Sequence, residues 1–245
     1  MSFRICIPAR YASTRLPGKA LLPLKGKPLI AHVVDRARQS TADEVIVATD
    51  DERIAAACRD LAVDVEMTSS EHTSGTDRIA EVAARRGWQD DDIVINLQGD
   101  EPLVPPQVVQ QVADTLLDGD APMATLCTPI TDADEFVDPN AVKVVTNGQG
   151  AALYFSRAAV PFVRGGDAAD ALPLAMRHIG IYGYRVWALR KLAGSPECAL
   201  EALEKLEQLR ALWLGLRIDV AVASESTGPG VDTPDDLARV EALLP

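Results

Sequence analysis

Three cations stand in a short loop after the first apolar segment of the chain. The segment at residues 3–9, FRICIPA, is followed by Arg10, Arg15 and Lys19 with no acidic residue among them. A loop after the first strand of a doubly wound sheet binds phosphates through backbone N–H groups and cations. The loop matches neither G-x-x-x-x-G-K-[ST] nor G-x-G-x-x-G, so a solvated basic turn is the competing interpretation. Three charges favour a triphosphate over a dinucleotide.

Two acidic motifs could supply a metal site for that triphosphate. Asp100 ends the motif NLQGDEP, and Asp232 lies in GPGVDTPDDL, 132 positions further along the chain. A carboxylate at the end of a rigid strand suits a hard cation such as Mg²⁺. Each motif also precedes a helix, so a capping acid is the alternative in both places. We interpret Asp235 and Asp236 as first-turn helix residues and Asp232 as the ligand.

A hydroxyl and a glycine could line a pocket for the base. Ser74 and Gly75 stand in EHTSGTDR, just before a helical pattern and after the third apolar segment. Taken alone, the motif is an ordinary capped helix start. Its place after a strand would let it line a ligand pocket at the same edge of the sheet.

A further motif concentrates side chains that could bind a polyhydroxylated anion. The stretch RHIGIYGYR, residues 177–185, holds Arg177, His178, Tyr182 and Tyr184 on a strand interrupted by glycines. Core packing is the competing account for the two tyrosines. If the strand lines the cleft, its polar side chains form one wall of a sugar site.

The elements that must position these residues alternate as far as residue 118. Short β-branched runs are separated by helical patterns near 28–40, 52–62, 76–87 and 106–118. Continuous apolar strands between helices predict a parallel sheet that is covered on both faces. We therefore expect an α/β fold with a Rossmann-like, doubly wound, mainly parallel sheet. Its ligands should bind at the carboxyl ends of the strands.

The pattern changes after residue 122. Four strand-like segments with little helix between them form a β-rich insertion at 122–185, within a single domain that spans 1–245. We expect this insertion to form a wall of the sugar site and to contribute a dimer interface. A helix is predicted at 199–214, followed by a last strand and a closing helix from Pro234.

Charge and cysteine usage narrow the class of function. The 245 residues carry a net charge of −12, which disfavours nucleic acids and anionic membrane surfaces as partners. Residues 1–34 nevertheless contain six Lys or Arg and no acid, which indicates a small anionic ligand. The four cysteines show no C-x-x-C pair or zinc-ligand spacing and are typical of reduced thiols. With no signal segment or membrane-spanning run, the sequence predicts a cytoplasmic protein.

Taken together, six motifs closely resemble the 3-deoxy-manno-octulosonate cytidylyltransferases, the CMP-Kdo synthetases of Gram-negative bacteria. The resemblance runs from about residue 2 to 243, in the family's order and spacing, through IPARYASTRLPGK, EHTSGTDR, NLQGDEP, HIGIYGYR, LEQLR and GVDTPDDL. It implies a nucleotide-diphosphosugar transferase fold, a homodimer and a dependence on Mg²⁺. The implied reaction converts CTP and Kdo to CMP-Kdo and pyrophosphate for lipopolysaccharide biosynthesis.

The resemblance also implies roles for particular residues. Catalysis and metal binding share two acids, since the implied catalytic residues are Arg10, Lys19, Asp100 and Asp232, with Asp100 and Asp232 as metal ligands. The implied nucleotide-binding residues are Pro8, Ala9, Arg10, Arg15, Lys19, Ser74, Gly75 and Gln98. The implied sugar-binding residues are Gln98, Arg157, His178, Tyr182, Glu207 and Gln208. The segment 164–173 matches no motif of the family.

Other functions remain open at this point. A cytidylyltransferase for 8-amino-Kdo or a sialic acid would share the fold and the nucleotide. A glycosyltransferase would use Asp100 to hold a nucleotide-sugar, and a nucleotide sensor would have no use for Asp232. Release of pyrophosphate from CTP and a sugar acid separates the cytidylyltransferase from the other classes. Because no His–Asp base pair stands near the motifs, a metal that lowers the pKa of the sugar hydroxyl is the more economical activation.

Overall fold

The computed structural model describes residues 2–12 and 16–244, in which strands and helices alternate along most of the chain. The strands are β1 Phe3–Ala9, β2 Pro23–Leu24, β3 Lys27–Pro28, β4 Glu44–Thr49, β5 Asp64–Met67, β6 Ile93–Asn96, β7 Met123–Pro129, β8 Lys143–Thr146, β9 Ala152–Ser156, β10 Met176–Arg185 and β11 Ile218–Val222. The helices are α1 Leu29–Arg38, α2 Glu52–Asp60, α3 Gly75–Arg85, α4 Pro106–Asp118, α5 Ala133–Val137, α6 Val186–Ala193, α7 Ala199–Glu204, α8 Gln208–Trp213 and α9 Pro234–Leu243. Short 3-10 turns occupy Lys19–Leu21 and Ala168–Leu174.

One large sheet has the strand order β11-β7-β10-β6-β1-β4-β5. The pairs β6–β1, β1–β4, β4–β5 and β7–β11 are parallel, whereas β10 runs antiparallel to both β6 and β7. The expected fold class, a doubly wound and mainly parallel sheet, is therefore confirmed. The reversed strand β10 brings residues 176–185 next to the end of β6, where the NLQGDEP motif begins.

Helices cover both faces of this sheet, which explains why its strands are continuously apolar. In β1, Ile5 and Ile7 belong to the core cluster that contains the buried residues of α1 and α4. Cys6 points to the opposite face, where α3 and α6 supply the core. All three side chains are fully buried. Burial on both faces fixes the strand rigidly and leaves its carboxyl end free to present a loop.

The region 122–185 contributes both to the main sheet and to an extension of it. Strands β7 and β10 lie inside the large sheet, while β8 pairs with β9 and with β10 at its side. The region thus forms part of the scaffold as well as a projecting hairpin. Its expected role as a dimer interface stays a prediction.

The prediction of one helix at 199–214 is wrong in one respect, because the structure has two helices there, α7 and α8. Lys205 adopts a left-handed conformation with φ of 53°, which ends α7. A non-glycine residue rarely adopts this conformation, and leucine spacing does not reveal it. The break redirects the chain so that Glu207 and Gln208 line a cavity beside β10.

Among residues 2–12 and 16–244, no helix combines the length and the apolar character needed to cross a membrane.

Candidate active site

The loops after β1 and β6 meet at one edge of the sheet and enclose a cleft of about 250 Å³. Cys6 of β1 lies opposite Asn96, the last residue of β6, so β1 continues to Ala9 alongside the loop that follows β6. Gly99 permits the close approach of the two loops, because a Cβ atom there would lie 2.9 Å from the carbonyl oxygen of Pro8. The cleft is lined by Pro8, Ala9, Arg10, Lys19, Ala20, His72, Thr73, Ser74, Gly75, Arg78, Gln98, Gly99, Asp100 and Asp232.

Lys19 stands between the two acids that the sequence singles out. Its Nζ atom lies 2.6 Å from Oδ2 of Asp100 and 3.1 Å from Oδ1 of Asp232. The structure thus brings together two carboxylates separated by 132 positions. Topology explains the meeting, because a ligand crevice collects the loops at the carboxyl ends of several strands.

Backbone contacts hold Asp232 in this place. The N–H of Val231 donates to the carbonyl of Asp100 at 2.8 Å. Asp236 accepts hydrogen bonds from the N–H groups of Asp232 and Thr233, at 3.2 and 3.0 Å, and forms a capping box with Thr233. The interpretation of Asp236 as a helix-start residue is confirmed. It also fixes the backbone that presents Asp232.

A third acid that the sequence analysis did not select lies beside this pair. Burial, followed by the negative charges of Asp100 and Asp232, raises the pKa of Glu101 to about 7. Glu101 was visible in NLQGDEP, but an acid next to a candidate ligand carries no separate sequence signal. Burial and the negative charge that Asp100 and Asp232 concentrate beside Lys19 therefore keep Glu101 partly protonated near neutral pH.

Arg78 is a cleft cation that the sequence analysis missed. Its side chain is 3% exposed and donates to Asp50 Oδ2 at 2.9 Å and to the hydroxyl of Thr68. It stands on α3 within a helical stripe, where an arginine is usually interpreted as a surface residue. Arg10 lines the cleft as expected. Arg15 lies outside the described residues, so its expected contact with phosphate stays a prediction.

Ser74 and Gly75 combine the two interpretations that the sequence allowed. The Ser74 hydroxyl accepts from the N–H of Asp77 at 3.1 Å and caps α3. Both residues also line the cleft beside Pro8. A Cβ atom at position 75 would lie 3.0 Å from Cγ of Pro8, so a glycine allows α3 to begin close to the β1 loop. The helix start is thus part of the wall of the cleft.

A second cavity of about 220 Å³ adjoins the first one, and Gln98 lines both. Its other lining residues are Thr76, Asn96, Met123, His178, Gly180, Tyr182, Tyr184, Leu192, Leu206, Glu207 and Gln208. Four of the five other expected sugar-binding residues, His178, Tyr182, Glu207 and Gln208, come together here. We call this cavity the sugar half and the first one the nucleotide half.

Two buried polar atoms in the sugar half lack a hydrogen-bond partner of normal geometry among residues 2–12 and 16–244. They are the hydroxyl oxygen of Tyr182 and Oε1 of Glu207. The other carboxylate oxygen of Glu207 accepts from Thr76 Oγ1 at 3.0 Å. Burial raises the pKa of Glu207 above its ordinary value. Unsatisfied buried groups are costly, and in a cavity they indicate a polar ligand that completes them.

His178 is held as a neutral ring. Burial and then the charge of Arg177 lower its pKa to about 3. Its Nε2 atom lies 3.0 Å from Oγ1 of Thr125, and that hydroxyl also lies 2.7 Å from the carbonyl oxygen of Ile181. Because the single hydroxyl proton goes to the carbonyl, Nε2 must donate, which leaves Nδ1 as an acceptor. A ring with so low a pKa is a poor general base near neutral pH.

Arg157 is the expected sugar-site residue that the structure does not bring into the cleft. Its guanidinium donates to the carbonyl oxygens of Glu204, at 2.7 Å, and Pro139, at 3.0 Å. Arg157 is absent from the described lining of both halves. Its proposed contact with a sugar acid stays a prediction. Arg177, in β10, pairs with Glu135 at 2.9 Å.

The acid pair fits a magnesium ion in the chemistry of its donors. Asp100 and Asp232 both reach one ammonium nitrogen, so a single cation can contact an oxygen of each. Mg²⁺ in nucleotide sites takes one or two carboxylates and completes its shell with phosphate and water. The described residues contain no cluster of three or more His, Cys, Asp or Glu that could hold a metal.

Solved structures include close counterparts of this fold. A structure described as CMP:2-keto-3-deoxy-manno-octonic acid synthetase complexed with CTP superposes with a TM-score of 0.92 at 44% identity, covering 99% of this chain and 98% of that one. A 4-diphosphocytidyl-2C-methyl-D-erythritol synthase structure shares the fold alone, with a TM-score of 0.66 at 12% identity and coverage of 99% and 98% of the two chains.

Curated relatives and a family model place the chain more closely. A 3-deoxy-manno-octulosonate cytidylyltransferase of Thioalkalivibrio sulfidiphilus is 55% identical, covering 100% of this chain and 99% of the relative. The enzyme of that name from Aeromonas hydrophila is also 55% identical, with the same coverage. The family model for cytidylyltransferases matches residues 5–218. The chain therefore belongs to the cytidylyltransferase family, and within it to the 3-deoxy-manno-octulosonate cytidylyltransferases that its six motifs resemble.

Proposed function

We propose that the protein transfers CMP from CTP to 3-deoxy-D-manno-octulosonate (Kdo), giving CMP-Kdo and pyrophosphate for lipopolysaccharide biosynthesis. One observation carries the proposal: a cationic cleft and a cavity with unsatisfied polar groups adjoin, and both are lined by Gln98. The two halves match a nucleoside triphosphate and a hydroxyl-rich sugar acid. The names of the full-length relatives favour Kdo over 8-amino-Kdo or a sialic acid.

The nucleotide half would bind the triphosphate and stabilise the charge that develops on the leaving pyrophosphate. Arg10 and Lys19 line the cleft next to the start of α3, whose N-terminus adds a partial positive charge. Nucleotidyl transfer requires positioning and charge neutralisation more than covalent chemistry from the protein. Preorganised cations of this kind act mainly in the transition state.

Asp100 and Asp232 would hold Mg²⁺ together with phosphate oxygens. When bound there, the ion supplies Lewis acidity that neutralises phosphate charge and lowers the pKa of the sugar hydroxyl. The protein's part is to keep the two carboxylates facing each other. The hydrogen bond from Val231 to Asp100 and the cap formed by Asp236 serve that purpose.

The sugar half would orient the attacking hydroxyl of Kdo. Nδ1 of His178 and Oε1 of Glu207 are acceptors for sugar hydroxyls, while the Tyr182 hydroxyl can donate or accept. Gln208 is 8% exposed and lines the same cavity. We assign the sugar carboxylate to Arg157, which would have to exchange its two backbone partners for the substrate. A site whose buried groups need polar partners rejects analogues that lack them.

We also propose that the protein works as a homodimer in the cytoplasm. The region 122–185 exposes large apolar side chains, with Phe162 at 85%, Leu174 at 73%, Leu153 at 58% and Val137 at 53% exposure. Exposed large apolar side chains are typical of an interaction surface when they lie together. A second copy is the occupant we infer for it. Light scattering of the purified chain at micromolar concentration should give the dimer mass.

The test of the proposed activity is pyrophosphate release. Purified protein with Mg²⁺, CTP and Kdo should release one pyrophosphate for each CMP-Kdo formed. ATP or GTP at matched concentration should support little turnover, and N-acetylneuraminate should not replace Kdo. Neutral hexoses should not compete with Kdo in a calorimetric titration. Equal turnover with purine nucleotides, or none with CTP and Kdo, would overturn the proposal.

A further inference from the structure

Tyr11 stands between the two cations of the nucleotide half. Arg10 precedes it, and Lys19 follows the loop that begins at Tyr11. The N–H of Gly18 donates to the carbonyl of Tyr11 at 2.9 Å, which ties the end of the loop to its beginning. The positions of the backbones that carry Arg10 and Lys19 are therefore coupled through Tyr11.

The Tyr11 ring is also in contact with Gly18. Gly18 has a φ of +69°, and a Cβ atom there would lie only 3.0 Å from Cε2 of Tyr11. Both the left-handed conformation and the close ring favour glycine at this position. Lys19 follows directly, and its ammonium lies 2.6 Å from Asp100. The ring thus acts as a support for the turn that aims Lys19.

A second contact of the ring is Arg53, on α2. The guanidinium carbon of Arg53 lies 3.3 Å from the ring centroid of Tyr11. Asp51 fixes this guanidinium with two hydrogen bonds, at 3.0 Å from Nε and 2.6 Å from Nη2. Asp51 also caps α2 by accepting from the N–H of Arg53 at 2.9 Å. The stack therefore connects the loop after β1 to helix α2.

Neither Arg53 nor Asp51 belongs to the described lining of the cleft. The contact that joins this pair to the loop carrying Arg10 and Lys19 is the stack of Arg53 on Tyr11. We infer that Tyr11, through its contacts with Arg53 and Gly18, is a positioning residue that sets Arg10 and Lys19 for the CTP triphosphate. This inference rests on the proposed cytidylyltransferase activity, and it predicts an effect on CTP that does not extend to Kdo.

The test compares variants of both members of the stack in steady-state kinetics. Tyr11→Leu removes the ring and should raise KM for CTP about tenfold, while KM for Kdo stays within about twofold. Tyr11→Phe keeps the ring and should restore KM for CTP. Arg53→Leu should raise KM for CTP about two- to fivefold, the range expected for an exposed cation–π contact. When Arg53→Leu is combined with Tyr11→Leu, it should have no further effect on KM for CTP, since the ring that Arg53 contacts is already absent.

Arg59→Leu is the matched control for charge. Arg59 is an exposed arginine of the same helix, paired with Glu52, so the variant removes an identical charge without touching the loop. Equal effects of Arg53→Leu and Arg59→Leu would show a bulk electrostatic effect and would overturn the inference. So would a rise in KM for both substrates in Tyr11→Leu, which indicates general damage to the fold.

Calorimetric titration of the protein with CTP, in the presence of Mg²⁺, separates this inference from the proposed function. If wild-type protein binds CTP but forms no CMP-Kdo, the proposed activity fails, while the stack is still tested by the affinity of the variants for CTP. Weaker CTP binding in Tyr11→Leu, restored in Tyr11→Phe, supports the positioning role. Unchanged CTP affinity in Tyr11→Leu contradicts it.

Discussion

The two halves of the cleft differ in how their polar groups are satisfied within the described protein. In the nucleotide half, charges are paired with one another: Lys19 contacts Asp100 and Asp232, and Arg78 contacts Asp50. In the sugar half, the Tyr182 hydroxyl and one oxygen of Glu207 are buried and lack a partner of normal geometry among the described residues. The first half is compensated in the free protein, whereas the second needs a ligand to complete it.

This difference has a physical consequence for each substrate. A triphosphate with its metal must exchange ion pairs that already exist, so binding and catalysis depend on the balance of charges. A sugar acid instead supplies missing hydrogen bonds. An analogue that lacks a hydroxyl leaves a buried polar group without a partner and binds more weakly. We therefore expect removal of Lys19, Asp100 or Asp232 from the nucleotide half to act mainly on turnover, and substitutions in the sugar half to act on Kdo affinity and on stability.

The largest expected effect tests the acid pair. Asp100→Asn or Asp232→Asn should lower kcat by about a thousandfold or more, because each removes a proposed metal ligand and its charge. The fold should remain intact, as judged by circular dichroism. Activity of the wild type should disappear with EDTA and return with Mg²⁺.

Asp235→Asn is the control for the acid pair. Asp235 is exposed in the first turn of α9, so this variant should lose only about 0.3–1 kcal/mol of stability through the helix dipole and keep its activity. Normal turnover of Asp232→Asn in Mg²⁺, together with an inactive Asp235→Asn, would mean that the wrong acid has been assigned.

The next effect concerns the cation between those acids. Lys19→Ala should lower kcat by about a hundred- to a thousandfold, because it removes a cation from the developing charge of the leaving group. Initial rates of pyrophosphate release at saturating CTP measure this effect directly. Lys27→Ala, at an exposed lysine paired with Asp35, is the control. A Lys19→Ala enzyme with wild-type kcat and a raised KM would assign Lys19 to binding alone.

The sequence predicted the residues of the nucleotide half better than those of the sugar half. Arg10, Lys19, Ser74 and Asp100 follow strand ends or start helices, so alternating patterns and the crossover rule were enough to bring them to one crevice. Even the approach of Asp232 to Asp100 followed from topology. Local motifs do not encode the environment that the fold gives a side chain, such as the burial of Glu101 beside two acids or of Arg78 beside Asp50. Both residues were therefore missed in the sequence analysis.

The sugar half was predicted less well from residue patterns, and the resemblance carried most of it. Its wall depends on β10 running antiparallel inside a parallel sheet, which an apolar pattern cannot reveal because strand direction leaves no period in the sequence. It also depends on the left-handed Lys205, which turns Glu207 towards the cavity. The role that the resemblance gives Arg157 stays a prediction, since its guanidinium donates to two backbone carbonyls in the free protein.

Two neighbouring tyrosines of β10 offer a sharper test of the contrast. Tyr182→Phe removes an unsatisfied hydroxyl and should stabilise the free protein by up to about 1 kcal/mol, while raising KM for Kdo about tenfold. Tyr184→Phe should destabilise it by about 1 kcal/mol, because the Tyr184 hydroxyl interacts with two side chains, Thr76 and Asn96, whereas the side chain near the Tyr182 hydroxyl is Thr125, which already donates to the carbonyl of Ile181. Urea unfolding without ligand measures both. Destabilisation of equal size in the two variants would show that the Tyr182 hydroxyl is satisfied, which would remove the contrast between the two halves.

The smallest expected effect is a dependence of stability on pH that originates in the sugar half. The folded protein lowers the pKa of His178 to about 3, whereas an imidazole in the unfolded chain titrates near about 6.5. Between these values the unfolded state binds more protons, so the free energy of unfolding falls as the pH falls, and this contribution is fully present only above about pH 6.5. Because the ring is half-buried, we expect the free energy of unfolding to fall by about 1–2 kcal/mol between pH 7 and pH 5.

His178→Gln should remove this part of the pH dependence in urea titrations at the two pH values. The ring proton signals of His178 in NMR spectra should stay unchanged down to about pH 4.5, and a midpoint near pH 6.5 would show that the ring is solvated and can act as a base.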